Sequence, residues 1–219
     1  FTMNDLLNET EKMLKMKILL IRHGRTAGNL EKRYVGKTDE PLLEDSRLRL
    51  QELKDAGAYP RADLVVMTEK KRSRETAEIL YPDIRKIICS GLCETDFGEF
   101  EYKNYRDLSG NPDYQAFIDS GGTIPFPGGE SLDAFETRCC RAFREITGSP
   151  DFRECLLNGR TAAFVIHGGS IMALLHAYGI PKKEYFSWQC KNGDGYLCTL
   201  QISPSDHKIS LSAGRKLFP

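Results

Sequence analysis

Residues 17–29, KILLIRHGRTAGN, decide the fold of this chain. The stretch begins with four consecutive apolar residues, 18–21, and such a run predicts a buried strand of a parallel sheet. The run stops abruptly at Arg22, His23 and Gly24. In open α/β sheets, ligands bind beyond the carboxyl ends of the strands, where these three residues would lie. The stretch therefore predicts a buried strand with a binding site at its end.

A second copy of this arrangement strengthens the prediction. Beyond the first histidine, Thr26 and Asn29 supply small polar groups suited to a turn that holds an anion. A lone histidine after a strand is more often an incidental loop residue. However, residues 161–170, TAAFVIHGGS, again form an apolar run that ends in His167 and then Gly168. Glycines at a strand-to-helix turn admit a ligand to backbone N–H groups, and a helix N-terminus favours negative charge. We expect one pocket built for a phosphate dianion.

Composition excludes several classes of partner. Lys plus Arg and Asp plus Glu both number 31, so the net charge is zero and nothing favours nucleic acid or an anionic membrane. The seven cysteines are scattered, without a C-x-x-C pair, which predicts free thiols in a reducing cytosol. No apolar run approaches the roughly 18 residues of a membrane helix, and no secretory signal is present. We therefore predict a cytoplasmic protein, and a homodimer is one open alternative for its oligomeric state.

The pattern of the whole chain predicts an α/β fold. We expect a three-layer α/β/α sandwich whose doubly wound sheet is mostly parallel, with one antiparallel edge strand and a small cap insertion. The domain would span 16–219, with the cap at about 100–130, after an N-terminal extension, 1–15, that could form a short amphipathic helix. Predicted strands lie at 64–67, 85–89, 196–202 and 208–212, and predicted helices at 44–56, 131–147 and 170–178.

The two histidine motifs resemble those of the histidine phosphatase superfamily, which includes cofactor-dependent phosphoglycerate mutases. The resemblance covers nearly everything from Met16 onward. In the family pattern Ser-Pro-Leu-x-Arg-Ala-x-x-Thr-Ala, the arginine matches Arg72, although Thr68 and Glu69 replace the Ser-Pro pair. In the pattern Leu-x-Glu-x-x-x-Gly, the acid matches Glu94. Other carboxylates of that loop, Asp96, Glu99 and Glu101, are its rivals.

The resemblance implies a role for each matched residue. His23 would attack phosphorus as the nucleophile, and its Nδ1 would donate to a nearby backbone acceptor. Glu94 would act as general acid and then as general base. Arg22, Arg72 and protonated His167 would clamp the phosphoryl oxygens. Four further residues would bind the substrate: Thr26, Asn29, Gly36 and Gly168. Because three positive groups surround the phosphate, we expect no metal and no cofactor.

The insertion favours a hydrolase over a mutase. Residues 102–127 are short and carry few basic side chains, whereas the mutase branch has a longer, basic insertion. The stretches DFGEF and PFPGGES look most like bacterial α-ribazole phosphatases, which implies a small phosphate ester as substrate. Five aromatic residues could stack on a ring-bearing leaving group: Phe97, Phe100, Tyr102, Tyr105 and Phe126. A phosphoglycerate mutase and a non-catalytic phosphate-ester sensor are the alternatives. A dinucleotide oxidoreductase is disfavoured because no G-x-G-x-x-G follows a strand.

Overall fold

The computed structural model describes residues 13–203 and 205–218. In this part of the chain, seven strands form one sheet in the order β3-β2-β4-β1-β6-β7-β5. The strands are β1 Leu14–Arg22, β2 Leu64–Met67, β3 Lys86–Ile88, β4 Ala162–Ile166, β5 Gly179–Ile180, β6 Gly195–Ile202 and β7 Ile209–Lys216. The helices are α1 Ala27–Leu30, α2 Glu44–Asp55, α3 Lys71–Leu80, α4 Pro112–Asp119, α5 Leu132–Gly148, α6 Pro150–Leu157 and α7 Gly168–Tyr178. Three short 3₁₀ helices occupy Ser90–Leu92, Gly98–Phe100 and Tyr185–Trp188.

Strand β1 lies inside the sheet, parallel to β4 on one side and antiparallel to β6 on the other. Strands β2 and β3 continue the parallel half beyond β4. The predicted fold class is confirmed, since the sheet is mostly parallel with an antiparallel hairpin toward one edge. In that hairpin, β6 is the strand that runs antiparallel to β1. Strand β7 pairs with the outer side of β6, and the short β5 pairs with the outer side of β7. A tight hairpin places its second strand on the outer side of the first, so β6 itself is not the outermost strand.

The apolar run of β1 makes the three layers. Residues 18–21 are fully buried, and successive side chains point to opposite faces of a strand. Ile18 and Leu20 join the core on one face, and Leu19 and Ile21 join the core on the other. Helices α5, α6 and α7 cover the first face with Phe135, Phe152 and Leu174. Helices α2 and α3 cover the second face with Leu50 and Ala77. Burial on both faces is what a continuous apolar strand predicts.

The amino-terminal prediction needs one correction. Leu14 and Lys15 lie in β1 and pair with Ile202 and Gln201, so the strand begins two residues before the predicted boundary at 16. A helix through Leu14 is therefore wrong. The rest of the predicted extension, residues 1–12, lies outside the described residues.

The cap covers the carboxyl end of the parallel strands. Helix α4 begins at an Asn111 cap whose side chain accepts the N–H groups of Asp113 and Tyr114. No residue of α4 is fully buried, so this helix packs only lightly on the domain. Phe100 anchors it from below, with ring centroids 5.6 Å from Tyr114 and 6.0 Å from Phe117. In the described ranges, no helix combines the length and apolarity needed to cross a bilayer.

Candidate active site

Neighbouring parallel strands bring the two histidines together. Strands β1 and β4 are in register, with Arg22 opposite Ile166, and the His23 N–H donates to the Ile166 carbonyl at 3.0 Å. The next residues are His23 and His167, whose ring centroids are 5.2 Å apart at an interplanar angle of 64°. Two motifs separated by more than 140 residues thus meet at one edge of the sheet, as the sequence predicts.

His23 is held in one tautomer. Its Nδ1 lies 2.7 Å from the Gly24 carbonyl, and because a carbonyl only accepts, Nδ1 must be the donor. The lone pair of the neutral ring is then on Nε2. Burial lowers the pKa of His23 well below its usual range, and the charges of Arg72 and Arg22 lower it further. The ring is therefore neutral at pH 7, with Nε2 available as a nucleophile.

Two arginines flank this ring and are anchored by carbonyls. Arg72 is fully buried in the first turn of α3, and its Nη atoms donate to the carbonyls of Thr38 at 2.7 Å and Gly36 at 3.0 Å. Arg22 donates from Nη1 to the Cys190 carbonyl at 2.8 Å. These bonds hold both guanidinium planes in place while leaving the Nε atoms without a partner among the described residues.

The protein's own groups favour the neutral form of His167, and its protonation beside a bound phosphoryl group stays a prediction. Its pKa lies well below the usual range because of burial, with His23 and Arg72 adding to the effect, so the protein's own groups keep it neutral rather than protonated. Nε2 lies 2.9 Å from the Thr68 hydroxyl, and the buried Nδ1 has no partner in the described part of the chain. When the hydroxyl donates to Nε2, Nδ1 carries the ring proton and is a neutral donor.

Unpaired buried nitrogens concentrate at this site. In the described ranges, four buried side-chain nitrogen or oxygen atoms lack a hydrogen-bond partner, and three of them are Arg22 Nε, Arg72 Nε and His167 Nδ1. Buried polar atoms in native proteins are nearly always paired, because an unpaired one costs about 1–3 kcal/mol. Three such atoms around His23 indicate a site shaped for an acceptor-rich ligand.

Glu94 connects the loop after β3 to the first turn of α7. One carboxylate oxygen accepts the Gly169 N–H at 3.1 Å, and the other accepts the Thr95 N–H at 3.0 Å. Arg138 supports the same loop, since it donates to the Glu94 carbonyl at 3.2 Å and pairs with Glu130 at 2.8 Å. The structure therefore places Glu94 beside the His167 motif, with Arg138 as scaffolding.

The three other carboxylates that could have been the acid lie in different surroundings from Glu94. Asp96 pairs with Lys37 at 2.7 Å, and Glu99 is exposed. Glu101 accepts the N–H groups of Gly36 and Thr38 at 3.0 and 2.8 Å, and so shapes the loop whose carbonyls hold Arg72.

Asn29 and Thr26 form a capping box at the start of α1. The Asn29 Oδ1 accepts from the Thr26 N–H and from Asn192 Nδ2 at 3.0 Å, which leaves the Asn29 amide nitrogen as a donor. Thr26 is fully buried, and its hydroxyl accepts the Asn29 N–H. The Thr26 side chain therefore serves the helix cap, and substrate binding by Thr26 stays a prediction.

The two glycines predicted to bind substrate differ. Both backbone groups of Gly36 are occupied, since its N–H donates to Glu101 and its carbonyl accepts from Arg72. Gly36 thus shapes the loop that holds Arg72, and substrate binding by Gly36 stays a prediction. Gly168 is the first residue of α7, where an N–H has no intrahelical partner. A Cβ atom at Gly168 would lie 3.2 Å from Arg22 Nε, so glycine keeps this N–H close to the guanidinium.

Several supporting residues were missed by sequence reasoning. Glu40 is buried and accepts the Gly28 N–H at 3.0 Å and the Tyr102 hydroxyl at 3.1 Å. Thr68 contacts His167, and Asn192 donates to the His23 carbonyl at 3.1 Å. Because the partners of these residues are remote in sequence and mostly backbone groups, no local sequence pattern predicts their roles.

An apolar cleft of about 430 Å³ opens beside Arg22, Glu94 and Gly168. We call it the aromatic cleft, and its walls include Tyr34, Phe97, Phe117, Phe126, Met172 and Phe186. Of the five aromatic residues predicted to stack on a leaving group, Phe97 and Phe126 line this cleft. Phe100 is buried beneath the cap, Tyr102 binds Glu40, and Tyr105 lies on another surface. These three are corrected to structural or surface roles.

Comparison with known proteins identifies the family. Residues 18–212 match the model of the histidine phosphatase superfamily (branch 1). The adenosylcobalamin/α-ribazole phosphatase of Salmonella typhimurium is 28% identical over 148 residues, which cover 65% of this chain and 72% of that protein. A 2,3-bisphosphoglycerate-dependent phosphoglycerate mutase of Xanthobacter autotrophicus is 27% identical over 189 residues, covering 76% and 86%.

Solved structures agree on the fold. The α-ribazole phosphatase of Shigella flexneri superposes with a TM-score of 0.73 at 22% identity, over 90% of this chain and 95% of that chain. The family match spans both histidine motifs, Arg72 and Glu94, which the fold has gathered at one sheet edge. The chain is an enzyme of the histidine phosphatase superfamily, branch 1.

Proposed function

We propose that the protein hydrolyses phosphate monoesters through a phosphohistidine on His23. One observation carries the proposal: the neutral His23 ring presents Nε2 beside three buried nitrogens that lack partners in the described ranges. Phosphoryl transfer requires an in-line nucleophile and neutralisation of the equatorial oxygens. Arg22 and Arg72 supply fixed positive charge, and His167, the Gly168 N–H and Asn29 supply further donors.

In the first step the His23 Nε2–P bond forms as the bond from phosphorus to the ester oxygen breaks. Glu94 donates the proton that the leaving oxygen needs. His23 keeps its Nδ1 proton, which the Gly24 carbonyl stabilises as positive charge develops on the ring. His167 enters as a neutral donor and becomes a better one as the phosphoryl charge favours its protonation.

In the second step a water molecule attacks the phosphohistidine. The Glu94 carboxylate takes a proton from that water, the Nε2–P bond breaks, and inorganic phosphate leaves. Glu94 is thereby returned to its acid form and His23 to its neutral form, so the cycle closes without another reactant. Gly169 and Thr95 hold the carboxylate in place for both proton transfers.

The aromatic cleft supports hydrolysis of a bulky ester rather than phosphoglycerate isomerisation. Among the residues that line this cleft, the charged ones are Arg22 and Glu94. A mutase substrate brings a carboxylate and a second phosphate, which would need cations on the cap side. The cap instead offers Phe117, Ile118 and two glycines. Apolar aromatic walls suit a ring-bearing leaving group, and α-ribazole 5′-phosphate is our first candidate substrate.

The mutase reading remains the second candidate, because relatives of similar identity carry that name. The small phosphate ester as partner, and the absence of nucleic-acid and membrane partners, stay predictions, as does a homodimer. Cytoplasmic location also stays a proposal, supported by seven cysteines that are all free thiols.

The test is phosphate release from 4-nitrophenyl phosphate, α-ribazole 5′-phosphate and 3-phosphoglycerate, with EDTA present throughout. We expect hydrolysis that EDTA leaves unchanged, and that favours α-ribazole phosphate over 3-phosphoglycerate. His23→Ala should abolish it, whereas the control His176→Ala should not, because His176 lies on the outer part of α7 and pairs with Glu136. Acid quenching of the native enzyme should trap an acid-labile phosphohistidine.

Three results would overturn the proposal. Equal hydrolysis by native protein and His23→Ala would exclude His23 as the nucleophile. Loss of activity on chelation would contradict neutralisation by the arginines. Interconversion of phosphoglycerates that outpaces hydrolysis would favour the mutase.

A further inference from the structure

A second cleft adjoins the aromatic cleft across Arg22, Tyr34 and Gln189, which line both. It has a volume of about 910 Å³ and reaches past Asn29 to the end of β7. The mechanism above uses only the wall that contains Arg22 and Asn29. The remainder of this space has no role in attack on phosphorus or in holding the leaving group.

The outer part of the second cleft is strongly positive. Lys32, Lys191 and Lys216 line it and are exposed, and we call it the lysine cleft. In the described ranges, none of these three ammonium groups forms an ion pair or a side-chain hydrogen bond. The lysines come from the turn after α1, the loop before β6 and the last residue of β7, so folding gathers them from distant parts of the chain.

Two other charged residues of the lysine cleft, Arg33 and Asp194, are held by partners of their own, and Arg22 adds a further positive charge. Arg33 pairs with Glu31 at 2.6 Å and with Asp107 at 2.5 Å. Asp194 is buried, and its Oδ1 accepts the N–H groups of Gly195 at 2.7 Å and Phe218 at 3.1 Å. One oxygen of the Asp194 carboxylate is therefore held by backbone donors, and this single negative charge faces the three lysines and Arg22, so positive charge dominates the cleft.

A concentration of unpaired cations in a chain of zero net charge creates a local positive field. Clefts focus such fields, and lysine ammonium groups bind phosphate as flexible point charges. Arg22 lines both clefts. An anion bound in the lysine cleft would therefore lie directly beside the phosphoryl group at His23, or would belong to the same substrate molecule.

We propose that the lysine cleft binds a second anionic group, a phosphate or phosphodiester, carried by the same substrate whose monoester is hydrolysed at His23. The inference rests on the proposed function and narrows its substrate class. The preferred substrate has an apolar body for the aromatic cleft and a remote negative charge that passes the Tyr34–Gln189 wall. A small phosphoglycerate lacks the apolar body.

Matched alkanediol esters test this directly. Each linker length is assayed as the monophosphate and as the bisphosphate, and the ratio of their kcat/KM values, each expressed per phosphomonoester group, is compared. We expect a linker length at which the bisphosphate is favoured about tenfold, the gain that a few exposed charge pairs provide together. The preference should shrink as salt is raised from 20 to roughly 300 mM, because exposed charges are screened.

The triple variant Lys32→Gln/Lys191→Gln/Lys216→Gln should lose this preference and keep its kcat on monophosphates. The matched control, Lys15→Gln/Lys54→Gln/Lys208→Gln, removes the same total charge from positions outside both clefts and should keep the preference. A native enzyme without any bisphosphate preference, or a preference that survives in the cleft variant, would overturn the inference while leaving phosphatase activity intact.

A binding experiment separates this inference from the catalytic proposal. Calorimetry with non-hydrolysable alkane bisphosphonates and monophosphonates measures the same preference without turnover. If His23→Ala still hydrolyses esters, the catalytic proposal fails. The preference for bisphosphonate, and its loss in the triple lysine variant, still show whether the lysine cleft binds a second anionic group. Inorganic phosphate that binds native protein already saturated with a monophosphonate, and does not bind the cleft variant in that state, would show a site for free phosphate and would overturn the inference.

Discussion

Replacing Gly169 by alanine should displace the Glu94 carboxylate without touching any other proposed catalytic group. A Cβ atom built on Gly169 overlaps Glu94 Oε1 and lies 3.1 Å from both Glu94 Cδ and Phe135 Cε1. Phe135 is fully buried in the core and has little room to move, so the carboxylate must give way. The Gly169 N–H bond to Glu94 at 3.1 Å is weakened by the same shift.

The magnitude follows from the displacement. Relief of the overlap requires a carboxylate shift of about 1 Å, and a misplacement of that size costs roughly 10²-fold in rate. This corresponds to about 2.7 kcal/mol of activation free energy. The fold should lose less, about 1–2 kcal/mol of unfolding free energy, from one strained hydrogen bond and some crowding at Phe135. Catalysis and stability should therefore separate, with kcat affected more.

The assay compares kcat on an alkyl phosphate and on 4-nitrophenyl phosphate. An alkoxide needs a proton as it leaves, whereas nitrophenolate is a stable anion, so the loss should be larger on the alkyl ester. Gly148→Ala is the matched control, because no atom lies within 4 Å of its added Cβ. A Gly169→Ala enzyme with unchanged kcat on alkyl phosphates, at normal thermal stability, would refute the placement of Glu94 as the general acid.

Two further predictions concern the histidines. Because the pKa values of His23 and His167 are lowered, the folded protein binds fewer protons in acid than the unfolded chain, and the unfolding free energy should fall as pH drops below about 6.5, by up to about 1.4 kcal/mol per pH unit for each ring. Urea titrations from pH 7 to 5 should show a weaker pH dependence of the unfolding free energy when both histidines are changed to Gln. An identical pH dependence in this variant and the native protein would contradict the burial argument. Thr68→Val removes the hydroxyl that contacts His167 Nε2 and should cost about 1–3 kcal/mol of unfolding free energy and roughly tenfold in kcat. The control Thr147→Val loses a hydrogen bond inside a helix away from the cleft and should lower stability alone. Equal kcat values for the two variants would contradict a positioning role for Thr68.

Much of the site could be predicted because it depends on strand ends. Residues at the carboxyl ends of adjacent parallel strands must meet, so two apolar runs that each end in histidine implied that His23 and His167 share a pocket. The Nδ1 bond of His23 to backbone is expected on chemical grounds, since Nε2 can act as a nucleophile only when Nδ1 carries the ring proton. Arg72 and Glu94 depended on matching motifs, and the structure brings both to this edge.

The supporting residues could not be predicted because their partners are remote backbone groups. Glu101 was weighed as a rival acid, yet it holds the N–H groups of a loop more than 60 residues earlier. In that same loop Glu101 and Arg72 engage both backbone groups of Gly36, so a glycine matched to the substrate mouth also has a structural role. Nothing in the local sequence distinguishes a glycine that approaches a ligand from one that approaches Thr95 and Glu101.

The sequence by itself determined the sheet, its two buried faces and the pairing of the histidine motifs, because apolar periodicity and turn residues act over a few neighbouring positions. Only the tertiary structure decided the lowered pKa of His167, the anchoring of Arg72 and the gathering of three lysines beside the site. Burial and Coulomb interactions depend on distance in space, so residues that are far apart in the chain set them together.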